Sequence, residues 1–190
     1  KRADRLIESI LAISLGYGES KGKKDANDFS AAFTTDLFYK NIWSPFVLQY
    51  TEYNFASGID IRSQTGAGIK YVIINDADHK TSVSVAGIYD YTKLVDKPGN
   101  YTNQTTRVSV RFRTKQILLD NKLEFSFTSF YQPSVKNIKN AINRFETNLK
   151  IPLSKHFSVN STYRFIEDDV VSVGRKRMDT KLTFGVGVSL

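Results

Sequence analysis

Apolar and polar residues alternate one by one along almost the whole chain, and this period of two is the feature that most constrains its fold. In the segment TRVSVRFRTK, residues 106–115, Val108, Val110 and Phe112 share one face of a strand, and cations occupy the opposite face. The side chains of a strand point alternately to its two faces, so the segment is apolar on one side and cationic on the other. The alternation starts at about residue 7 and recurs throughout, without a comparable helical period. It predicts an all-β fold of about ten antiparallel strands.

The predicted strands are about nine to fourteen residues long, which exceeds typical strands of globular proteins and suits a tilted membrane crossing. Every second connection between them is short: KNI, NDADHK, DNK and SKH. The other connections are longer or more polar: GESKGKKDAND, NFASG, VDKPGNYTNQ, PSVKNIKN and EDDVVSVGRKR. Short turns at one rim and long loops at the other are typical of outer-membrane barrels. The sequence therefore predicts one domain, residues 1–190, forming an up-and-down transmembrane β-barrel in the bacterial outer membrane, with the short turns and both termini in the periplasm.

A soluble β-sandwich or a lipocalin-like ligand-binding barrel would show the same alternation, with the apolar face inside instead of outside. Two features favour the membrane barrel. The polar face mixes small residues such as Gly66, Gly68 and Ser84 with long charged ones, which is how a crowded barrel interior is filled. The apolar face is uniformly large and nearly uncharged, as a surface in contact with lipid must be. Tyr39 and Trp43 also flank the first short turn, where an interfacial aromatic girdle belongs.

The composition excludes several other classes of protein. No run of about 18 apolar residues occurs, and the mean hydropathy is −0.32, so a helical membrane span is excluded. Cysteine is absent, which removes disulfides and thiolate chemistry. The formal net charge of +8 favours phosphate-rich partners such as nucleic acid, anionic lipid or lipopolysaccharide. Because no signal peptide is visible and the chain starts with Lys1 rather than Met, we expect that an N-terminal segment has been removed.

A nucleic-acid surface would carry cations and aromatic residues on the same exposed face. Here Arg107 and Arg111 lie opposite Val108, Val110 and Phe112, so binding through the cations would leave a second, apolar face to bury. We therefore expect no nucleic-acid partner. The expected partners are outer-membrane lipid, lipopolysaccharide and other outer-membrane proteins in a complex.

The charged residues of the polar face would line the inside of the barrel. Those expected to form a ladder of ion pairs across the bore are Arg62, Lys70, Asp90, Arg107, Arg111, Arg113, Glu124, Glu146 and Arg164. Arg111 and Arg113 lie on the strand between those of Asp90 and Glu124, and we expect them to face these two carboxylates. Unpaired charges in a narrow bore are costly, and about ten strands enclose a bore that side chains can largely fill. Full pairing predicts a blocked, structural barrel, whereas an excess of cations predicts a narrow anion-preferring pore.

Two long loops carry cations that are candidates for contact with lipopolysaccharide phosphates. These are Lys21, Lys23, Lys24, Arg175, Lys176 and Arg177. Plain solvated loop charges are an equally good interpretation. The acidic segment EDD, residues 167–169, could bind a divalent cation, although a solvated acidic loop tip is the simpler hypothesis.

The catalytic sets of outer-membrane enzymes are missing from the places where they would act. A phospholipase of the outer-membrane type needs Ser and His near the outer leaflet, and an omptin-type protease needs Asp and His at the extracellular mouth. The two histidines, His79 and His156, fall in predicted short turns at the opposite rim. No G-x-S-x-G segment occurs, and the GAG of residues 66–68 lacks the helix and the third glycine of a nucleotide-binding loop. We predict a non-enzymatic protein with no catalytic residue, cofactor or metal; catalysis by lysine or carboxylates alone stays open.

The segments GIDIRSQTGAGIKY and RKRMDTKLTFGVGVSL resemble a known family: the bacterial outer-membrane β-barrels described as salt-induced outer-membrane proteins, a domain of unknown function. The likeness runs from about residue 28 to residue 190. The family's G-x-D-x-R and G-x-G-x-x-Y segments are matched by Gly58, Asp60, Arg62, Gly66, Gly68 and Tyr71, and its closing T-D-T-R/K strand by residues 178–181. Family members usually end in an aromatic residue, whereas this chain ends in Leu190 and starts about one hairpin into the family pattern. The resemblance implies an outer-membrane barrel of about twelve strands in the full chain, and it implies no activity.

Overall fold

The chain folds into ten antiparallel strands that lie in the sheet in the order of the sequence. The computed structural model describes residues 6–20, 22–95, 101–154 and 156–188, without the side chains of residues 20 and 23–26. The strands are β1 (Ile7–Ser20), β2 (Lys23–Leu37), β3 (Trp43–Asn54), β4 (Ile59–Asn75), β5 (His79–Leu94), β6 (Thr102–Leu118), β7 (Leu123–Pro133), β8 (Ala141–Pro152), β9 (Phe157–Asp168) and β10 (Met178–Val188). The predicted all-β, up-and-down arrangement of ten strands is confirmed. Among the described residues there is no helix of the length and apolarity that a membrane crossing requires.

The sheet curls into a half-barrel with a concave inner surface, which we call the bore. Its first and last strands, β1 and β10, each pair with one neighbour and do not contact each other within the described residues. Side chains on both faces of these strands are therefore exposed over residues 7–17 and 178–186. The buried side chains lie in the bore, where Phe46, Ala86 and Ile88 form a small apolar cluster.

The alternation in the sequence decides which face each side chain takes. In β6, Arg107 is fully buried in the bore, while Val108 and Val110 point outward and are each 40% exposed. The convex surface is largely apolar, with a few polar side chains such as Gln49 and Thr65. Its exposed members include Leu11, Ile13, Leu15, Val47, Ile69, Val85, Leu182, Phe184 and Val186. This is the reverse of a soluble barrel, in which the apolar face lies inside.

The connections follow the predicted alternation with two exceptions. The short-turn rim has the connections 38–42, 76–78, 119–122 and 153–156, and the opposite rim has 55–58, 95–101, 134–140 and 169–177. The connection 55–58, with four residues, is shorter than the five-residue connection 38–42. The other exception is the polar segment GESKGKKDAND, which was expected to be a long loop. Instead β1 continues to Ser20 and β2 begins at Lys23, with a bulge between Gly18 and Glu19. Polar side chains do not prevent hydrogen bonding between backbones. The strands β1 and β2 therefore extend beyond the apolar residues from which they were predicted.

Two glycines on the concave side of β4, Gly66 and Gly68, allow β5 to approach closely. A Cβ at Gly66 would lie 2.6 Å from the carbonyl oxygen of Gly87, and a Cβ at Gly68 would lie 2.7 Å from the Cβ of Ala86. Both separations are far shorter than van der Waals contact. The GAG segment is thus a packing feature of strongly curved neighbouring strands.

Replacing Gly68 with Val is expected to destabilise the folded protein by about 1–3 kcal/mol, because the side chain would force β4 and β5 apart. Gly87→Val is the matched control, since a Cβ at Gly87 would meet nothing within 4 Å. Urea unfolding of protein refolded in detergent, followed by Trp fluorescence, measures the effect. An equal loss of stability in both variants would contradict the packing role of Gly68.

Candidate functional site: the charged bore

The most deeply buried ion pair lies near the long-loop end of the bore. Arg107 and Asp90 are both fully buried, and Nε of Arg107 donates to Oδ2 of Asp90 at 2.5 Å. The guanidinium also donates to the carbonyl oxygens of Gln132 at 3.0 Å and Asn140 at 2.9 Å. Asp90 accepts a further hydrogen bond from the hydroxyl of Thr92 at 2.8 Å. A buried pair with this many additional hydrogen bonds is well compensated for its loss of water.

A second group of charges spans the bore between strands that are not neighbours in the sheet. Arg62 of β4 is fully buried, and its Nη1 donates to Oδ2 of Asp168, at the end of β9, at 2.6 Å. The same nitrogen lies 3.5 Å from Oε2 of Glu52 on β3. Arg144 of β8 donates to that Glu52 oxygen at 2.9 Å. Arg62 also donates from Nε to the hydroxyl of Thr92 at 3.0 Å. These contacts tie β3 and β4 to the opposite wall.

The loop after β9 folds into the mouth of the bore. Val170 and Ser172 are buried, and the Val170 carbonyl accepts a hydrogen bond from Arg62 at 3.3 Å. The Ser172 hydroxyl donates to the carbonyl of Gly58 at 2.9 Å, and its backbone N–H donates to the carbonyl of Ser57 at 3.1 Å. Gly58 has a φ of +65°, and a Cβ there would lie 2.5 Å from the Cβ of Ser172. Only glycine meets both demands. We call Asp168, Val170 and Ser172 the mouth plug.

Ion pairs nearer the short-turn rim are more exposed. They are Lys70 with Asp36, Lys150 with Glu124 at 2.9 Å, Lys115 with Glu124 at 3.6 Å, and Arg164 with Glu146 at 2.8 Å. The Arg164 side chain is 53% exposed, so water screens its attraction to Glu146. These pairs balance charge without sealing the bore.

Arg111, midway along β6, has no carboxylate partner among the residues that the structure describes. Its Nε donates to the hydroxyl of Ser84 at 3.1 Å. The guanidinium carbon lies 5.6 Å from the ring centroid of Phe46 and 6.0 Å from that of Phe130, which is within the range of cation–π attraction. Asp36 of β2 attracts this guanidinium electrostatically, but no acidic side chain forms a direct ion pair with it within the described residues.

The predicted ladder residues all lie on strands of the half-barrel, but the expected pairing of Arg111 with Asp90 is not found. Asp90 is opposite Thr105 in the register of β5 and β6, whereas Arg111 is opposite Ser84. The next inward-facing residue after Thr105 on β6 is Arg107, and it forms the ion pair with Asp90. An antiparallel register decides such pairings, and the sequence alone does not supply it.

The expected pairing of Arg113 with Glu124 is not found either. Glu124 is opposite Ile117 on β6, so the cation beside it on that strand is Lys115. Arg113 is exposed and forms no ion pair with any described residue. The positive charge of β6 is thus paired at Arg107 and Lys115 and unpaired between them.

The acidic segment of residues 167–169 is not the solvated loop tip that the sequence suggested. Asp168 is 3% exposed and holds Arg62. Asp169 lies 3.4 Å from Arg177 of the same loop. These carboxylates are occupied by cations of the chain itself.

The loop cations expected to contact lipopolysaccharide are described in part. Arg175 lies over the ring of Phe55 at 5.4 Å, and Lys176 and Arg177 are exposed at the long-loop rim. Lys21 and the side chains of Lys23 and Lys24 lie outside the described residues.

The inner face of β3 was not predicted from the sequence. Phe46, Leu48, Tyr50 and Glu52 alternate on the bore side of this strand, and Tyr50 donates its hydroxyl to Glu52 at 3.1 Å. The period of two was present in WSPFVLQYTEYN. However, apolar and aromatic residues occupy both faces, so polarity did not indicate which face is inside.

The two histidines lie at the short-turn rim, as predicted. His79 begins β5, with its Nδ1 2.5 Å from the side-chain oxygen of Gln116, and His156 is exposed just before β9. Within the described part of the chain, no group of three or more His, Cys, Asp or Glu side chains could hold a metal ion.

The antiparallel half-barrel with a charged bore is the architecture of a porin-like β-barrel. The solved structure described as "NanC porin structure in rhombohedral crystal form" is similar, with a TM-score of 0.56, 8% sequence identity, and coverage of 99% of this chain and 96% of that chain. At this identity the likeness concerns the fold alone. The family model described as "Protein of unknown function, DUF481" matches residues 7–190, so the chain belongs to this family. That description names neither a function nor salt induction. No curated protein matches the chain.

Replacing Asp90 with Asn is expected to lower the free energy of unfolding by about 3–5 kcal/mol, because it leaves the buried charge of Arg107 uncompensated. The matched control is Asp60→Asn, which removes the ion-pair partner of Lys93. This pair lies at the surface: the side chain of Asp60 is 42% exposed and that of Lys93 is 36% exposed. Such a pair is screened by water, so little change is expected. Urea unfolding in detergent compares the two variants. Similar stabilities for both would show that burial of the Arg107 pair does not govern stability.

Proposed function

We propose that the protein is a non-enzymatic β-barrel of the outer membrane with a structural or partner-binding role and a bore blocked near its long-loop end. The observation that carries this proposal is the 2.6 Å ion pair between Arg62 and Asp168, which ties the loop after β9 to the opposite wall. Removing either partner would leave a buried charge without compensation. The closed form of the mouth is therefore strongly favoured over an open one.

The proposed location in the outer membrane follows from the convex surface. Large apolar side chains cover it, and Trp43 and Tyr71 pack at the short-turn rim with their ring centroids 4.7 Å apart, as in an aromatic girdle. An even number of strands brings both termini to the short-turn rim, which in such barrels is periplasmic. The exposed loop cations Lys176 and Arg177 then face outward, where lipopolysaccharide phosphates and other outer-membrane proteins are available partners.

Purified wild-type protein in planar lipid bilayers is expected to give no steady stepwise current, because the mouth plug blocks the long-loop end of the bore. Gly58→Ala should give frequent openings, since the added Cβ displaces Ser172. Gly174→Ala is the matched control: Gly174 has a similar φ of +78°, but a Cβ there would meet nothing within 4 Å. Single-channel recording at low and high salt measures the effect. Openings in both glycine variants alike would contradict the specific role of Ser172 docking.

A narrow anion-preferring pore is the second candidate, and it is favoured by Arg111, which has no direct ion-pair partner among the described residues. Steady wild-type currents carried by chloride in preference to potassium would establish this pore and overturn the blocked barrel. Turnover of lipid or peptide substrates by the purified protein would contradict the non-enzymatic part of the proposal.

A further inference from the structure

The bore contains a cavity below the mouth plug, about midway between the two rims. Its volume is about 290 Å³, and it is partly open to solvent. Arg111 and Arg144 contribute positive charge to its lining, and Phe46, Leu48, Ile88 and Phe130 contribute apolar walls. Ser109, Gln64 and Gln132 add neutral polar groups. The cavity thus combines charge, apolar surface and hydrogen-bonding groups, as small-molecule sites do.

The two arginines of the cavity differ in how far they are neutralised. Arg144 donates to Glu52 at 2.9 Å and to the hydroxyl of Tyr50 at 3.1 Å, so its charge is compensated. Arg111 uses only Nε, toward Ser84, in the part of the chain that the structure describes. Asp36 attracts Arg111 electrostatically but forms its ion pair with Lys70, and Glu52 forms its ion pairs with Arg62 and Arg144. The terminal nitrogens of Arg111 donate no hydrogen bond within the described residues, whereas those of Arg144 are paired and only its buried Nε lacks a partner.

The surroundings of Arg111 constrain the shape of an anion that could bind it. The ring centroids of Phe46 and Phe130 lie 5.6 and 6.0 Å from the guanidinium carbon. A planar guanidinium presents parallel N–H donors that match the two oxygens of a carboxylate. Leu48 and Ile88 line the remaining space and favour an apolar body attached to that carboxylate. A fully polar anion such as phosphate would leave these walls unused.

We propose that this cavity is a binding site for a small organic monocarboxylate with a flat apolar body, such as an aromatic acid, and that Arg111 binds the carboxylate. The apolar body lies against Phe46, Leu48 and Ile88. The site does not depend on whether the bore conducts, because the mouth plug lies above the cavity and contributes none of these contacts. A failure of the conductance prediction and a failure of this proposal are therefore separate results.

The test uses the full chain refolded in detergent and para-fluorobenzoate as the probe, observed by fluorine NMR. Saturable line broadening is expected, with displacement by benzoate but not by acetate or phosphate at the same concentration. Arg111→Gln should weaken binding by about tenfold or more, because a charge-assisted hydrogen-bond partner is lost. Arg113→Gln is the matched control: it removes the same charge from the same strand at an exposed position outside the cavity. Its affinity should stay close to that of the wild-type protein.

Neutral para-fluorobenzamide separates recognition of the charge from simple apolar binding, and it is expected to bind much more weakly than the acid. Arg111→Lys provides a second variant that keeps the charge and favours folding; the loss of the planar guanidinium should still weaken the probe. The proposal is overturned by any of three results. These are no saturable binding to the wild-type protein, an equal loss in Arg111→Gln and Arg113→Gln, and binding of the amide as tight as that of the acid. Far-UV circular dichroism and heat-dependent gel mobility verify that each variant is folded.

Discussion

The ion pair between Arg62 and Asp168 is the contact on which the closed end of the bore depends. It joins β4 to the end of β9, and these strands are separated by several others in the sheet. Around it, Glu52 accepts both Arg62 and Arg144, and Thr92 connects Arg62 to Asp90. Each charge of this group has a partner of opposite sign and further hydrogen bonds, which is the condition under which a buried network stabilises one geometry. The docking of Val170 and Ser172 follows from this network.

Cross-bore contacts matter more in this fold than in a closed barrel. A closed barrel keeps its walls together by backbone hydrogen bonds around the full circumference. Here β1 and β10 are edges without a second partner among the described residues. The ion pairs of Arg62 with Asp168 and of Arg144 with Glu52 connect opposite walls of the half-barrel, whose strands are not joined by backbone hydrogen bonds in the described part of the chain. Unpaired backbone edges are costly in the hydrocarbon core, so both edges require strand partners when the protein is embedded in a bilayer.

The features of the fold that depend on periodicity could be predicted from the sequence. The ion-pair partners could not, because they depend on the register between strands and on the path of a loop. Alternation in segments such as TRVSVRFRTK was sufficient for strand number and for placing Arg107 on the face opposite Val108, because a strand has only two faces. The small residues of the polar face were needed to predict that this face lies inside. The partner of Arg107 depends on how β5 and β6 align, which alternation leaves open. Asp168 lies in a segment with the sequence of a polar loop. It pairs with Arg62 only because this segment folds back into the bore. β3 was ambiguous because both of its faces are apolar.

The charges of the bore are fully paired at one level and not at another. Neither of the two alternatives from the sequence, full pairing of the bore charges or an excess of cations, therefore describes the whole bore. At the mouth, the side chains of Arg62 and Arg107 are fully buried and each is paired with a carboxylate. Midway along, Arg111 has aromatic neighbours and no directly paired acid within the described residues. An uncompensated cation in a confined space is tolerated only when water or an anion reaches it. The bore therefore has two zones of different chemistry: a mouth whose arginines are paired with carboxylates, and a middle where Arg111 has no direct ion-pair partner among the described residues.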